Sequence, residues 1–283
     1  MRALSVLGVV LAFAAPCATA LAQSAAAPRI YNTAKQKLQR GERLVGGTVT
    51  SPDPDIYCAM ANSGFDFLWI EMQHSPLTYQ EVARMIWACR GAPAVPFIRV
   101  PDSTPGDIQK AVDIGALGII IPLVDTVEEI TSAVEYAMYP PLGKRSLGNG
   151  QYGALYGSDY RATANANIVM VAMIESPPGV ALADKIANVP GVDVVFAAST
   201  DLGSFSGKRQ GDPDYESQVK KIHDATLKAG RKLGGPLAWT NREGFTFFQA
   251  GTESGFIRAG VKAALDAAPT GVAPTEGAER YEK

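Results

Sequence analysis

The chain has 283 residues, 47% hydrophobic and 19% charged, with a formal net charge of −2. That is ordinary globular composition, enough for one large domain or two small ones. With a nearly balanced charge and no basic run, nothing in it points to a nucleic-acid partner.

The first residues stand apart. Met1-Arg2 is a short positive start, Ala3 to Pro16 is almost wholly apolar, and Ala20-Leu21-Ala22 precedes Gln23 in the small-x-small pattern of a signal-peptidase site. Residues 1–22 therefore read as a secretory signal cut after Ala22, which puts the mature protein in the periplasm or outside the cell. A transmembrane anchor is the rival reading, but the apolar run falls short of the ~20 residues a span needs. Cys17 follows Ala14-Ala15-Pro16, a poor lipobox. No later segment has the length and hydropathy of a membrane span.

Residues 23–40 are Ala-rich and then polar, an ordered lead-in or a loose arm. From residue 43 an alternation sets in. Apolar strand-like runs occupy Arg43–Val49, Asp66–Met72, Val95–Val100, Gly118–Val124, Ile168–Glu175, Val192–Ser199, Arg231–Leu237 and Ser254–Gly260. Between them, Tyr79–Cys89, Val127–Tyr139, Pro178–Ala187 and Tyr215–Ala229 carry apolar residues at helical spacing. Strands that are apolar throughout are covered on both faces, as in parallel sheets. The alternation predicts a (β/α)8 barrel, an architecture of about 250 residues, over residues 41–268, with 269–283 as a tail. A doubly wound sheet is the competing fold. Cys58 and Cys89 fall in neighbouring helices; an oxidising compartment permits a disulfide between them, and two free buried thiols are the other expectation.

One connection, Tyr139 to Ala166, is long and rich in Gly, Tyr and Pro, which predicts a functional loop or a subunit contact. Within it Gly148-Asn-Gly150-Gln-Tyr-Gly153 matches GxGxxG in letters only. It follows no strand and opens no clear helix, so it is not a nucleotide site.

Barrel enzymes carry their chemistry at the carboxyl ends of the strands. Those ends hold Glu71-Met-Gln-His74, Arg99, Glu175 and Asp201. Glu175 and Asp201 end consecutive strand-like runs, and a strand–helix–strand unit takes roughly 30 residues, so the two acids should be neighbours. Two converging carboxylates repel unless one is protonated or a hard divalent cation lies between them. A plain hydrogen-bonded pair is the alternative. His74 leaves a buried strand for Ser75-Pro76 and is placed for proton transfer, or is a wall residue. His223, in Lys220-Lys-Ile-His223-Asp224, lies on a solvated helix face. Arg99 offers a planar fork to a carboxylate or developing enolate, or a salt bridge to a mouth carboxylate such as Glu71. Base, arginine and an open metal suit a 2-oxo acid whose ketone is polarised to an enolate. No predicted strand ends in the lysine that a Schiff-base route requires.

In order and spacing, several segments resemble the class II, metal-dependent pyruvate aldolases of the HpcH/HpaI family, the 4-hydroxy-2-oxoheptanedioate and 2-dehydro-3-deoxyglucarate aldolases. They are Gly64-Phe-Asp-Phe-Leu-Trp-Ile70, the His74 segment, Ile98-Arg-Val-Pro101, Val112-Asp-Ile-Gly-Ala116, Ile121-Pro-Leu-Val124, Tyr139-Pro-Pro-Leu-Gly-Lys-Arg145, Ile174-Glu-Ser176 and Asp201-Leu202. The likeness spans residues 43–262. It implies a barrel of the phosphoenolpyruvate/pyruvate-binding type and a homo-oligomer. It also implies His74 as base, Asp113 as the aspartate that raises the base's basicity, and Arg99 as enolate stabiliser. Met173 and Thr200 would contact substrate. Glu175 and Asp201 would hold Mg²⁺ or Mn²⁺, with Co²⁺ or Zn²⁺ as alternatives. The barrel reading, however, sets Asp113 late in a helix, away from the mouth. Three departures from the family pattern stand out: Glu71-Met-Gln73-His74 replaces Asp-x-Glu-His, Ala198-Ser-Thr-Asp201-Leu202 replaces Gly-Pro-x-Asp-Leu, and Met173 stands where the family has glutamine. The expected activity is reversible cleavage of a 4-hydroxy-2-oxo acid to pyruvate, or a related 2-oxo acid, and an aldehyde. A related acyl-thioester or β-hydroxy-acid lyase, and a non-catalytic exported 2-oxo-acid-binding protein, are the alternatives.

Overall fold

Eight parallel strands, paired in chain order, close on themselves in the computed structural model, which describes residues 27–268. The expected signal at 1–22 and tail at 269–283 lie outside the described residues. The first half runs α1 (Thr33–Arg40), β1 (Leu44–Val49), α2 (Pro54–Ala61), β2 (Phe67–Glu71), α3 (Tyr79–Ala88), β3 (Val95–Arg99), α4 (Pro105–Asp113), β4 (Gly118–Ile121), α5 (Val127–Ala137). Then follow α6 (Tyr152–Tyr156), α7 (Tyr160–Asn167), β5 (Val169–Ile174), α8 (Pro177–Ala181), α9 (Ala183–Ala187) and β6 (Val194–Ala197). The described residues end with α10 (Ser199–Ser206), α11 (Pro213–Lys228), β7 (Lys232–Pro236), β8 (Phe245–Thr252) and α12 (Glu253–Ala267).

The strand period of two decides what faces the axis. Phe67 and Trp69, Phe97, Val169, Val171 and Met173, Val194 and Phe196, and Phe247 form the interior, while Ile70, Ile98, Ile174 and Val195 belong to the layer under the helices. A β-carbon on Gly46 would lie 2.1 Å from the Phe67 ring, and one on Gly118 would lie 2.2 Å from Phe97. Glycine at these inward positions is thus what admits the large rings. The interior is a packed core rather than a pore.

The base is sealed by residues expected to be a lead-in or a loose arm. Asn32, fully buried, caps α1 through its side chain and donates to the Leu117 and Asn167 carbonyls at 3.1 and 2.6 Å. Ala34 and Leu38 complete the lower interior. Cys58 and Cys89 are joined in a disulfide that ties α2 to the end of α3, with Cα atoms 5.4 Å apart. The bridge, not the pair of free thiols, is what the fold contains.

The last strand corrects the sequence reading. β8 is Phe245–Thr252, paired with both β7 and β1, and the segment 254–260 expected to be a strand lies in α12. Aromatic and β-branched side chains fit a pleated wall. Thr252 then stops the strand: its hydroxyl accepts from the Gly255 amide and caps the helix. The long 139–166 connection folds into α6 and α7. A β-carbon on Gly150 would lie 2.3 Å from the Asp113 carbonyl oxygen, so that glycine serves a close backbone approach. No helix among the described residues is long and apolar enough to cross a membrane.

Candidate active site at the carboxyl rim

Because β2 and β3 pair with Glu71 opposite Arg99, the inward face of each strand ends in a charge at the same level. Arg99 Nε donates to Glu71 Oε2 at 2.6 Å, and the Trp69 indole N–H donates to the same oxygen at 3.2 Å. Both charged side chains are buried. Glu71 Oε1 accepts the Gln73 and His74 backbone amides at 2.8 and 3.0 Å. Glu71 is thus the hinge of the rim, fixing the guanidinium on one side and the His74 loop on the other. The salt bridge considered for Arg99 exists, and it leaves the terminal nitrogens to the cavity: Nη1 lies 3.9 Å from Met173 Sδ.

Glu175 continues the inward set Val169, Val171, Met173 one step past β5. It is buried, and its Oε1 accepts from the Leu123 amide at 2.5 Å. Leu123 has φ 49°, alone among the non-glycine residues described in having a positive value. Such backbone costs about 1–3 kcal/mol, and here it aims an N–H at the Glu175 carboxylate. Asp201 stands in the first turn of α10, past the end of β6 rather than on it. Since β5 and β6 are hydrogen-bonded neighbours, the two acids share one rim. Burial pushes the Glu175 carboxyl up to about 7. The Leu123 amide pulls it back, the Asp201 carboxylate pushes it further, and Arg99 lowers it.

A 220 Å³ cavity opens here, lined by Arg99, Met173, Thr200, Asp201, Pro236 and Gln249 among others. It therefore gathers both expected substrate contacts, Met173 and Thr200, with the arginine and one of the two acids. His74 stands on the rim loop, exposed, and its ring has no hydrogen-bond partner among the described residues.

Asp113 is elsewhere, and the role the resemblance implied for it is not met within the chain. It ends α4, a helix that starts after β3 at the rim and runs back toward the base. There it accepts from Arg145 Nη2 at 2.8 Å and Gln109 Nε2 at 3.1 Å. Arg145 is buried over the rings of Tyr139, Tyr152 and Tyr160 at 4.5, 5.1 and 5.3 Å. His223, the other histidine, pairs with Asp224 at 2.9 Å on α11 and belongs to no cavity shared with these residues.

The donor set fits a hard divalent cation. Two carboxylates face each other, neither forms an ion pair with Arg99, whose Nε is held by Glu71, and carboxylate oxygens are the ligands such ions take. Among the described residues no cluster of three or more His, Cys, Asp or Glu forms, so the pair would be the whole side-chain ligand set. Sequence reasoning missed Glu71 as the hinge, the Leu123 amide and Gln249. The aromatic run Phe245-Thr-Phe247-Phe248 was the available signal for the strand that carries Gln249.

Residues 49–258 match the HpcH/HpaI aldolase/citrate lyase family. A hydroxypyruvate/pyruvate aldolase of Rhizorhabdus wittichii is 34% identical over 214 residues, 72% of this chain and 85% of that protein. A 5-keto-4-deoxy-D-glucarate aldolase of Salmonella arizonae is 33% identical over 215 residues, 72% of this chain and 84% of that one. The crystal structure of an HpcH/HpaI aldolase/citrate lyase family protein from Burkholderia cenocepacia J2315 superposes with a TM-score of 0.77 at 28% identity, covering 83% of this chain and 98% of that chain. On the family match and the aldolase relatives, the chain belongs to the HpcH/HpaI aldolase/citrate lyase family and is a carbon–carbon lyase of the aldolase type.

Proposed function

We propose that the chain cleaves a 4-hydroxy-2-oxo acid reversibly to pyruvate, or a close 2-oxo relative, and an aldehyde, with Glu175 and Asp201 holding Mg²⁺ or Mn²⁺. The observation that carries this reading is the acid pair, Glu175 buried and Asp201 half-buried at the cavity wall, beside the Arg99 guanidinium. When bound, the cation supplies Lewis-acid polarisation at the 2-oxo group. Arg99, its Nε held by Glu71, presents its remaining N–H groups to the substrate carboxylate and to the oxygen that becomes the enolate. His74, acting from the rim loop directly or through a water, takes the proton of the 4-hydroxyl as the C3–C4 bond breaks. The bonding pair passes into the enolate, C4 leaves as the aldehyde, and a proton returned to C3 gives the 2-oxo acid. Met173 replaces a hydrogen-bonding wall with a thioether, so substrate preference is set by the other lining residues.

The test is proton exchange at the pyruvate methyl with Mg²⁺ or Mn²⁺ present. Exchange that disappears with His74→Ala and with EDTA is the expected result. Tight 2-oxo-acid binding without exchange would replace the lyase with a binding protein.

From the signal pattern of residues 1–22 we further propose that the mature protein lies outside the cytoplasm, and the Cys58–Cys89 bridge supports an oxidising compartment. The amino-terminal residue of protein recovered from the periplasm should be Gln23. A homo-oligomer is supported by α12, which exposes Phe256, Ile257, Val261 and Leu265 by 41–71%. Sedimentation of Ile257→Asp/Leu265→Asp against the unaltered protein tests it, with dissociation expected.

A further inference from the structure

Gln249 follows Phe247 on the inward face of β8 and lines the cavity that holds Arg99, Met173, Thr200 and Asp201. The orientation of its amide is determined. Thr48 Oγ1 gives its single hydrogen to the Ala250 carbonyl at 2.9 Å, so the Gln249 atom 3.2 Å from that oxygen must be a donor, Nε2. Oε1 is then turned away from Thr48. Among the described residues it has no hydrogen-bond partner, and it is not one of the enclosed polar atoms. The cavity wall thus includes a residue with a neutral, fixed acceptor, on β8, two strands round the barrel from β6.

An acceptor of this kind discriminates by chemistry. A carboxylate or keto oxygen brought to Oε1 is repelled, whereas a hydroxyl donates to it. The carboxylate and oxo groups of a 2-oxo acid are drawn to Arg99 on β3 and to the cation that the acids after β5 and β6 would hold. In a 220 Å³ cavity, the substituent at C3 is then what remains to meet the β7–β8–β1 wall. We propose that Gln249 is a specificity residue that accepts a hydrogen bond from a hydroxyl on C3 of the substrate, with Thr48 as its positioning residue, so that the site favours 3-hydroxy-2-oxo acids over their unsubstituted counterparts. This rests on the lyase reading of the same cavity.

Hydroxypyruvate and pyruvate differ by that one hydroxyl and serve as the probe pair. C3 proton exchange in D₂O with Mg²⁺, followed by NMR after subtraction of the enzyme-free rate, should favour hydroxypyruvate about tenfold, the size of one net neutral hydrogen bond. Near-isosteric Gln249→Met, checked for folding by circular dichroism, brings the ratio of the two rates to about one. Thr48→Val, which frees the amide to turn, gives an intermediate ratio. A ratio that survives Gln249→Met overturns the proposal. Calorimetric affinities for the same two acids separate the failures. If neither acid exchanges but hydroxypyruvate binds more tightly in a Gln249-dependent way, the lyase reading falls and the hydroxyl reading stands. If the affinities show no such dependence, the hydroxyl reading falls whatever the turnover.

Discussion

Arg99 and Arg145 are both buried guanidiniums, each bonded to a carboxylate and each over an aromatic ring, yet they do different things. Arg145 is enclosed: one terminal nitrogen donates to Tyr160 Oη at 2.9 Å, the other to Asp113 at 2.8 Å, and three tyrosine rings cover its faces. Arg99 is pinned at Nε by Glu71 and opens its far end to a cavity. Burial and an acidic partner therefore do not distinguish a structural arginine from a functional one. Arg145 Nε is itself buried without a partner, so what distinguishes them is whether the donor capacity left unspent faces space that a ligand can occupy.

Arg99→Met should separate the two most sharply. Losing a cavity-facing donor to the developing enolate should slow pyruvate methyl exchange on the order of 10²–10³-fold. A rate within a few-fold of the unaltered protein would reduce Arg99 to the structural class of Arg145. Arg145→Met should do the reverse. It strips a buried partner from Asp113 and from the tyrosine cluster, costing about 3 kcal/mol in a urea titration while folded protein exchanges pyruvate at a near-normal rate. An equal collapse of turnover would show that the flank takes part in the chemistry.

The disulfide supplies a second structural control. Its half-cystines are 31 residues apart in sequence, and closing such a loop stabilises by about 3.7 kcal/mol in the chain-entropy account. Cys58→Ala/Cys89→Ala should lower the urea midpoint and leave the exchange rate of folded protein unchanged.

The smallest effect is a pH dependence on the Arg99 side. The Glu175 carboxyl is raised from 4.5 to about 7, chiefly by burial, so the folded state binds this proton more tightly than the unfolded chain does. Its contribution to stability is complete below about 4.5 and is lost as pH rises toward 7. Thermal melts in EDTA should therefore decline over that window, Glu175→Gln should flatten the decline, and saturating Mg²⁺ should remove it, because the cation binds the ionised pair. An EDTA curve that rises between pH 5 and 7 would contradict the buried-acid account.

Much of this could be read along the chain, because the physics involved is local. Apolar runs of strand length between helical spacings specify a barrel, and the position just past a strand's end specifies the mouth, so Arg99 and Glu175 were identifiable before any contact was known. The period of two that buries Val169, Val171 and Met173 carries on to Glu175 by geometry alone. What failed was also local in origin. Phe245–Thr252 carries a glycine at its end and runs straight into a helix, so the strand was displaced to 254–260, and Gln249 went with it.

Tertiary structure decided the pairings. That Glu71 binds Arg99 and the His74 loop together depends on the β2–β3 register. That Asp113 answers to Arg145 depends on the long connection folding back under α4. That Thr48 turns the Gln249 amide depends on the first and last strands meeting. The sequence by itself determined which side chains reach the rim, because a strand's period and its end are properties of neighbours in the chain. Which of those side chains still have a donor or acceptor to offer was settled only when the barrel closed, since hydrogen bonds between residues distant in sequence use up that capacity.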